Sequence, residues 1–190
     1  MYLDVICHIF GHRWDYYSNK RTCKRCNIEE EYKKVEITKL GDGMYRRTDV
    51  ETKIDIMYIS RNFSVEELTK TSTGLPNKPN TEQLQNLTNL VNNVLQPARN
   101  IYGRSITVTS GYRNSAVNKK VGGVRNSQHL KGQAADITCD DNKKLFNIIK
   151  DIIKDYDQLI WEYGNKHQPK WIHVSWVGEN NRRQIIYKYK

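Results

Sequence analysis

Residues 127–136 read SQHLKGQAAD and residues 171–175 read WIHVS, and these two stretches decide how the second part of the chain must fold. The first stretch begins as a loop, and the small residues before Asp136 let it turn into a strand. The second stretch alternates polar and apolar residues, which is the pattern of a β-strand with one buried face. We therefore expect His173 to point away from the core, while its two apolar neighbours point into it.

Three side chains in these stretches are the usual ligands of a catalytic zinc ion. Such a site keeps three protein ligands, commonly histidine and carboxylate, and leaves a fourth position for water. His129, Asp136 and His173 supply this set. A water bound to zinc has a lowered pKa and becomes a nucleophile that can attack the carbonyl of a peptide bond. The sequence thus predicts one open, catalytic zinc site.

A third motif, TSGYRN at residues 109–114, precedes the other two. In this order, Ser-Gly-Tyr-Arg, Ser-x-His-x6-Asp and Trp-x-His resemble the zinc D-alanyl-D-alanine peptidases. This family includes the VanY- and VanX-type D,D-carboxypeptidases and the L-alanyl-D-glutamate endopeptidases of phage endolysins. The resemblance covers about residues 61–190. It implies hydrolysis of peptidoglycan stem peptides by a carboxypeptidase or an endopeptidase, without indicating which bond is cut.

The resemblance also suggests substrate-binding residues. Arg113 is the candidate for the oxyanion or for a substrate carboxylate, because a guanidinium can bind a carboxylate through two hydrogen bonds. The alternative for Arg113 is a surface ion pair with a helix carboxylate. Tyr112 precedes it in the motif and is expected to contact substrate. Ser127 resembles the family's active-site serine, a hydrogen-bond donor, although it could equally cap its loop.

The general base is not evident from the motifs. Many relatives place an acidic base three residues before the second histidine, and Lys170 stands there in this chain. The nearest acid on the N-terminal side is Glu162, in an otherwise apolar strand. A hairpin pairing of residues 162 and 173 would place Glu162 beside the zinc, whereas a shift of one residue would turn it away. The alternative is an edge-strand glutamate that faces water.

The N-terminal part predicts a second, structural zinc site. Cys7, His12, Cys23 and Cys26 have the spacing Cys-x4-His-x10-Cys-x2-Cys, which offers four ligands to a closed tetrahedral site. A segment this small needs such a metal to fold. It resembles the short zinc-ribbon heads of some prophage proteins. His8 could replace His12 as ligand, and unrelated reduced thiols are the other interpretation.

The motifs divide the chain into three parts: a zinc knuckle or ribbon head at 1–35, a β-ribbon or linker at 36–60, and a zinc peptidase-like domain at 61–190. In the last part, helical patterns precede β-prone segments with one further helix between them. This order predicts an α+β fold, in which a small antiparallel sheet with flanking helices holds the catalytic zinc. Pro97 is expected to kink or end the helix that starts at Thr81, and Gly103 to end the segment after Pro97.

The net charge of +10 is concentrated in the peptidase-like part. Residues 61–190 carry 20 Lys and Arg against 11 Asp and Glu, whereas residues 1–60 carry 11 against 10. A basic domain suits an anionic wall polymer, although charge can also serve solubility alone. The nearly neutral head does not favour nucleic acid as a partner.

The apolar patterning indicates where the protein is made and acts. No apolar run reaches membrane-spanning length, and the N-terminus lacks the basic and apolar regions of a secretory signal. We therefore expect a monomer made in the cytoplasm that reaches the wall after release, as in a phage or prophage lysin. The alternative function is a non-catalytic structural or wall-binding protein, such as a virion component that reuses the peptidase fold.

Overall fold

A computed structural model of the chain describes residues 14–17, 20–23, 29–31, 35–41, 44–49 and 55–189. The twelve strands in these ranges are β1 (Trp14–Tyr17), β2 (Lys20–Cys23), β3 (Glu29–Glu31), β4 (Val35–Gly41), β5 (Met44–Asp49), β6 (Asp55–Ser60), β7 (Phe63–Ser64), β8 (Thr107–Ser110), β9 (Ala134–Thr138), β10 (Gln158–Glu162), β11 (Trp171–Ser175) and β12 (Gln184–Lys188). The α-helices are α1 (Val65–Thr69), α2 (Thr81–Leu90), α3 (Gln96–Tyr102), α4 (Ser115–Lys120) and α5 (Asn142–Asn147). Two π-helical segments, Val91–Leu95 and Ile148–Ile153, continue α2 and α5, and a 3-10 turn spans Gln128–Lys131.

The chain divides into two compact units, one formed by Met1–Lys39 with Arg46–Asp55 and the other by Leu40–Tyr45 with Ile56–Lys190. In the first unit, β1, β2 and β3 form an antiparallel sheet in chain order. Strands β4 to β7 form a four-stranded sheet, also in chain order. The predicted ligands Cys7, His12 and Cys26 and the side chain of Cys23 lie outside the described residues, and so does the predicted structural zinc site.

The second unit is built on a five-stranded sheet with the order β12-β10-β11-β9-β8. The predicted α+β class is confirmed, but the sheet is mixed and not wholly antiparallel. Strands β8 to β11 pair antiparallel, whereas β12 pairs parallel to β10. Strands β9 and β10 occupy both edges of β11. The chain runs back antiparallel to β11 and places β12 along the free edge of β10, so β12 is parallel to β10.

Strand register separates the core face of this sheet from the other face. Val108, Ile137, Ile172 and Trp161 form one cross-strand row, and all four are buried. They pack with the apolar residues of the helices in a single core. Asp136 and the residue paired with it, His173, are offset from this row by one position, so they face the opposite side. The prediction that the neighbours of His173 face the core is confirmed.

The helix that starts at Thr81 continues past Pro97 instead of ending there. Its start is fixed by a capping box between Asn80 and Gln83. The π-helical segment just before Pro97 widens the helix by one residue, and Pro97 then lies in the first turn of α3, where a missing N–H is tolerated. Gly103 ends α3 in the left-handed conformation, as predicted.

Candidate metal centre

The structure brings together the three side chains that the sequence singled out as metal ligands. His129 Nε2, His173 Nδ1 and Asp136 Oδ1 form a triangle with sides of 3.2, 2.9 and 3.4 Å. Ligand atoms about 2.0–2.1 Å from a tetrahedral zinc ion lie about 3.3 Å apart, so the triangle has the size that such an ion requires. The three residues could therefore hold a metal ion. Asp136 and His173 remain partly exposed, which leaves one side of the cluster accessible.

Gly111 fixes the orientation of His129. Its carbonyl oxygen accepts a hydrogen bond from His129 Nδ1 at 2.6 Å, so Nε2 carries the free lone pair and points toward the other two ligands. A side chain at position 111 would not fit, because a Cβ there would lie 2.1 Å from the carbonyl oxygen of Leu68. Glycine in the Ser-Gly-Tyr-Arg motif thus lets the strand end approach α1 and present its carbonyl group to the histidine.

Gly132 closes the turn that carries His129. It adopts a left-handed conformation with φ of 71°, and its N–H donates to the carbonyl of His129. A Cβ at this position would lie 2.3 Å from the carbonyl oxygen of Gln83 on α2. The Gln83 side chain also donates to the carbonyl of Leu130. The turn is therefore held closely against the start of α2.

The charges around the cluster favour metal binding. Burial lowers the pKa of His129, which favours the neutral imidazole that binds a cation. Burial acts to raise the pKa of Asp136, but its interactions with His129 and His173 outweigh this effect and hold that pKa below its usual value. The carboxylate is thus ionised, as a metal ligand must be.

Arg113 lies next to the cluster. One of its terminal nitrogens is 3.6 Å from Asp136 Oδ2, and its backbone N–H donates to the carbonyl of His129. Its Nε is buried and has no hydrogen-bond partner among the described residues. The alternative of a surface arginine paired with a helix carboxylate is wrong, because its partner is Asp136 on β9 and the side chain is only 16% exposed.

Glu162 shares a sheet face with His173 but does not pair with it. The register pairs Ile160 with His173 and Glu162 with Trp171. This differs by two residues from the predicted pairing of 162 with 173. Because a shift of two residues does not change the face of a strand residue, Glu162 stays on the same face as His173. The Glu162 carboxylate is buried and forms a 2.9 Å ion pair with Lys188 on β12. It does not belong to the donor cluster, and it does not face water as an edge residue would.

Ser127 and Tyr112 differ in what they offer to a substrate. Ser127 begins the turn that carries His129, and its side chain does not cap that turn, so the capping alternative does not apply. Its side chain is partly exposed. Tyr112 is only 4% exposed and belongs to the core. Its backbone serves the site, because Asn77 binds its carbonyl oxygen, but its ring has little surface for a ligand.

Two polar residues that support the site were not identified from the sequence. Asn77 donates to the carbonyls of Thr69 and Tyr112 and accepts from the N–H of Asn114, which fastens the Ser-Gly-Tyr-Arg loop. Asn77 lies in an irregular segment, and two of its partners, Tyr112 and Asn114, are 35 and 37 residues away, so no local pattern marks it. Asp157 is the other residue, and its position just before a β-prone run was the only available signal.

Asp157 joins the turn that carries His129 to the C-terminal part of the chain. It is almost fully buried, and its carboxylate accepts a 2.8 Å hydrogen bond from the side chain of Gln128, next to His129. The Arg182 guanidinium binds both oxygens of the same carboxylate, and the Arg182 N–H donates to one of them. These hydrogen bonds, led by those from the Arg182 side chain, lower the pKa of Asp157 to about 2.

We expect Asp157 to contribute stability that depends on pH. Because its folded-state pKa lies below the ordinary value, the contribution is full above about pH 4 and is lost as the pH falls through about 2. Asp157→Asn should therefore lower the melting temperature at pH 7, and the difference from wild type should shrink between pH 4 and pH 2. Thermal melts across this range measure it. Asp151→Asn, at an exposed position, is the control, and a difference that stays constant down to pH 2 would contradict the assignment.

The fold and the cluster define a class: an α+β protein with a His/Asp/His site for a metal ion on one face of its main sheet. A family model described as Peptidase M15 matches residues 61–175, well over half of the chain. The chain therefore belongs to the M15 peptidases. The matched segment contains all three metal-site residues and Arg113, and it ends before β12. No curated protein matches the chain. None of the helices in the described ranges is long and apolar enough to span a membrane.

Proposed function

We propose that this chain is a zinc metallopeptidase that hydrolyses peptide bonds in peptidoglycan stem peptides. The observation that carries the proposal is the triangle of His129, Asp136 and His173 donor atoms, with sides that suit a tetrahedral zinc ion. Membership of the M15 peptidases supports the reaction class. The protein would act either as a D,D-carboxypeptidase or as an endopeptidase of the endolysin type.

His129, Asp136 and His173 would hold the zinc ion. When bound, zinc acts as a Lewis acid and lowers the pKa of a coordinated water to near neutrality, which supplies the nucleophile. Arg113 stabilises negative charge, either on the oxygen of the scissile carbonyl or on a substrate carboxylate. Ser127 donates a hydrogen bond to the substrate. Glu162 takes a proton during the attack and returns it to the leaving amine.

Support for Glu162 as the base comes from its burial on the same sheet face as His173. Glu162 and His173 are diagonal neighbours on adjacent antiparallel strands, a separation of about 7–8 Å that long side chains can reach across. Lys170 lies closer in sequence to His173 but carries the wrong charge for a base. Lys188, the ion-pair partner of Glu162, is about half exposed. Water can therefore solvate its ammonium group when the carboxylate accepts a proton.

The proposal is tested by the metal dependence of wall hydrolysis. The stem peptides of purified peptidoglycan should be shortened in the presence of the zinc-loaded protein, stay intact after treatment with a chelator, and be shortened again when zinc is restored. Intact stem peptides in all three conditions, with zinc bound at the site, would contradict the proposal. That result would favour the non-catalytic alternative, a structural or wall-binding protein that reuses the peptidase fold.

Replacing Arg113 by lysine tests its role in the reaction. Arg113→Lys should lower kcat/KM by about 10²-fold, because a point charge does not replace the two-pronged contact of a guanidinium. The melting temperature should change little. Arg125→Lys, at an exposed arginine, is the matched control and should behave as wild type. A large loss of stability with normal turnover would mean that Arg113 serves the fold and not the substrate.

We also propose a second, structural zinc ion bound by Cys7, His12, Cys23 and Cys26. The support is the ligand spacing alone. Elemental analysis should find two zinc ions per chain in the wild type and one in a variant that combines Cys23→Ser with Cys26→Ser. The variant should keep the ion at the His129 site. A single zinc ion in both proteins would remove the second site.

The excess of basic residues in 61–190 favours an anionic wall polymer as an additional partner. We further propose that the protein acts on the wall as a monomer after release, in a phage or prophage context.

A further inference from the structure

A small pocket lies at the end of the β10–β11 hairpin, on the strand that also carries His173. It has a volume of about 350 Å³ and is lined by Tyr163, Gly164, Lys170 and Trp171. Trp171 precedes His173 by two residues on β11, so both side chains emerge on the same face of the sheet. Two residues of a strand span about 6.6 Å, which is the length of about two residues of an extended peptide. A substrate bound at the metal would therefore reach this pocket.

The pocket offers an aromatic wall and a cation. The rings of Tyr163 and Trp171 are 5.0 Å apart between centroids and tilted by 53°. Lys170 is exposed, and its ammonium group forms no ion pair with the part of the chain that the structure describes. Glu162, which pairs with Trp171 across the two strands, is already neutralised by Lys188. The charge of Lys170 is thus available to an anionic ligand.

The loop that forms the pocket is held in one conformation. Asn165 accepts hydrogen bonds from the backbone of His167 and Gln168 through its side chain, and its carbonyl accepts one from the Trp161 indole. On the other side, the Asn142 side chain donates to the carbonyls of residues 169 and 170. A pocket held by this many bonds is formed before a ligand arrives, which lowers the entropic cost of binding.

We propose that the pocket is a substrate subsite, in which Tyr163 and Trp171 contact the peptide backbone and Lys170 binds a carboxylate of the stem peptide about two residues from the scissile bond. The proposal rests on the proposed function, since it identifies part of the substrate of the same site. In this proposal the cation at position 170 selects for an anionic group of the substrate. An acidic residue at the same position would instead act as the base of the reaction.

The test uses soluble stem peptides whose free carboxylates are amidated one at a time. For the zinc-loaded wild type, one of these amidations should raise KM by about fivefold, the effect of an exposed ion pair, with little change in kcat. The same amidation should have no effect on Lys170→Gln. Trp171→Ala should raise KM about tenfold for every peptide, and Trp171→Phe should recover most of the loss. Lys166→Gln, at an exposed lysine of the same loop, is the control.

Calorimetric titration of the same peptides into the metal-free protein separates this inference from the proposed function. If the subsite exists, the amidation that raises KM should also weaken binding to the wild type, and it should have no effect on binding to Lys170→Gln. If the wild type hydrolyses stem peptides but shows the same order of KM values for the amidated peptides as Lys170→Gln does, the subsite is wrong and the proposed function stands. If the wild type binds with the Lys170 dependence but hydrolyses nothing, the subsite is supported and the proposed function fails.

Discussion

His129→Ala should abolish hydrolysis by the protein, with a loss of more than about 10³-fold, because removal of a metal ligand removes several kcal/mol of transition-state stabilisation. His129 contributes one of three donor atoms, and its ring is oriented by the Gly111 carbonyl, so no other side chain of the described residues takes its place in the cluster. Zinc bound at this site, measured by elemental analysis, should fall together with activity. The zinc ion proposed for the N-terminal part should remain.

The control for His129→Ala is His167→Ala. His167 is exposed in the loop before β11, and its replacement should leave both zinc content and turnover unchanged. Since His129 is buried, its loss could also disturb folding, and His173→Ala tests the same claim at a more exposed ligand. Circular dichroism should show a folded protein in both variants. Normal hydrolysis by a folded His173→Ala variant would contradict the metal site.

Glu162→Gln should lower kcat by about 10²- to 10⁴-fold, the range that a positioned general base contributes. The amide keeps the size of the side chain and can still contact Lys188, but it cannot accept a proton. Zinc content and melting temperature should therefore stay close to those of the wild type. Steady-state hydrolysis of a soluble stem peptide measures the effect.

Lys188→Gln is the matched control, because it breaks the same ion pair from the other side and leaves the carboxylate in place. Loss of activity in Glu162→Gln alone would assign the effect to proton transfer. Equal losses in both variants would mean that the ion pair supports the fold of β10 and β12, and full activity of Glu162→Gln would exclude Glu162 as the base.

The site was predictable where the motifs are local. His129 and Asp136 are seven residues apart, and the small residues between them allow only a short turn into a strand, so their proximity can be expected from the sequence. His173 could be added because the alternation in WIHVS places it opposite its apolar neighbours. The pairing of His173 with Asp136 then brings both to one point of the sheet.

The parts that could not be predicted depend on pairing between distant segments. The hairpin pairs Glu162 with Trp171, because the left-handed conformations of Tyr163 and Gly164 and the bond from the Lys170 N–H to the Glu162 carbonyl fix where the chain turns. No residue pattern specifies that register in advance. The parallel placement of β12 likewise depends on which edge of β10 is free.

Tyr112 and Asp157 illustrate two further limits. The sequence around Tyr112 gives no local sign of whether its ring faces a substrate or the core, and the structure places it in the core. Asp157 appears in sequence as an ordinary acid before a strand. Its role depends on Arg182, which lies 25 residues later and beyond the segment that matches the family.

The central claim is that the His129, Asp136 and His173 cluster cuts stem peptides, and mass spectrometry of muropeptides tests it most directly. Purified peptidoglycan is incubated with the zinc-loaded wild type or with His173→Ala, the glycan strands are then digested with a muramidase, and the released muropeptides are compared. We predict stem peptides shortened by cleavage at one defined peptide bond with the wild type, and unchanged muropeptides with the variant. Unchanged muropeptides with a wild type that carries zinc at this site, or the same shortened products with both proteins, would contradict the claim.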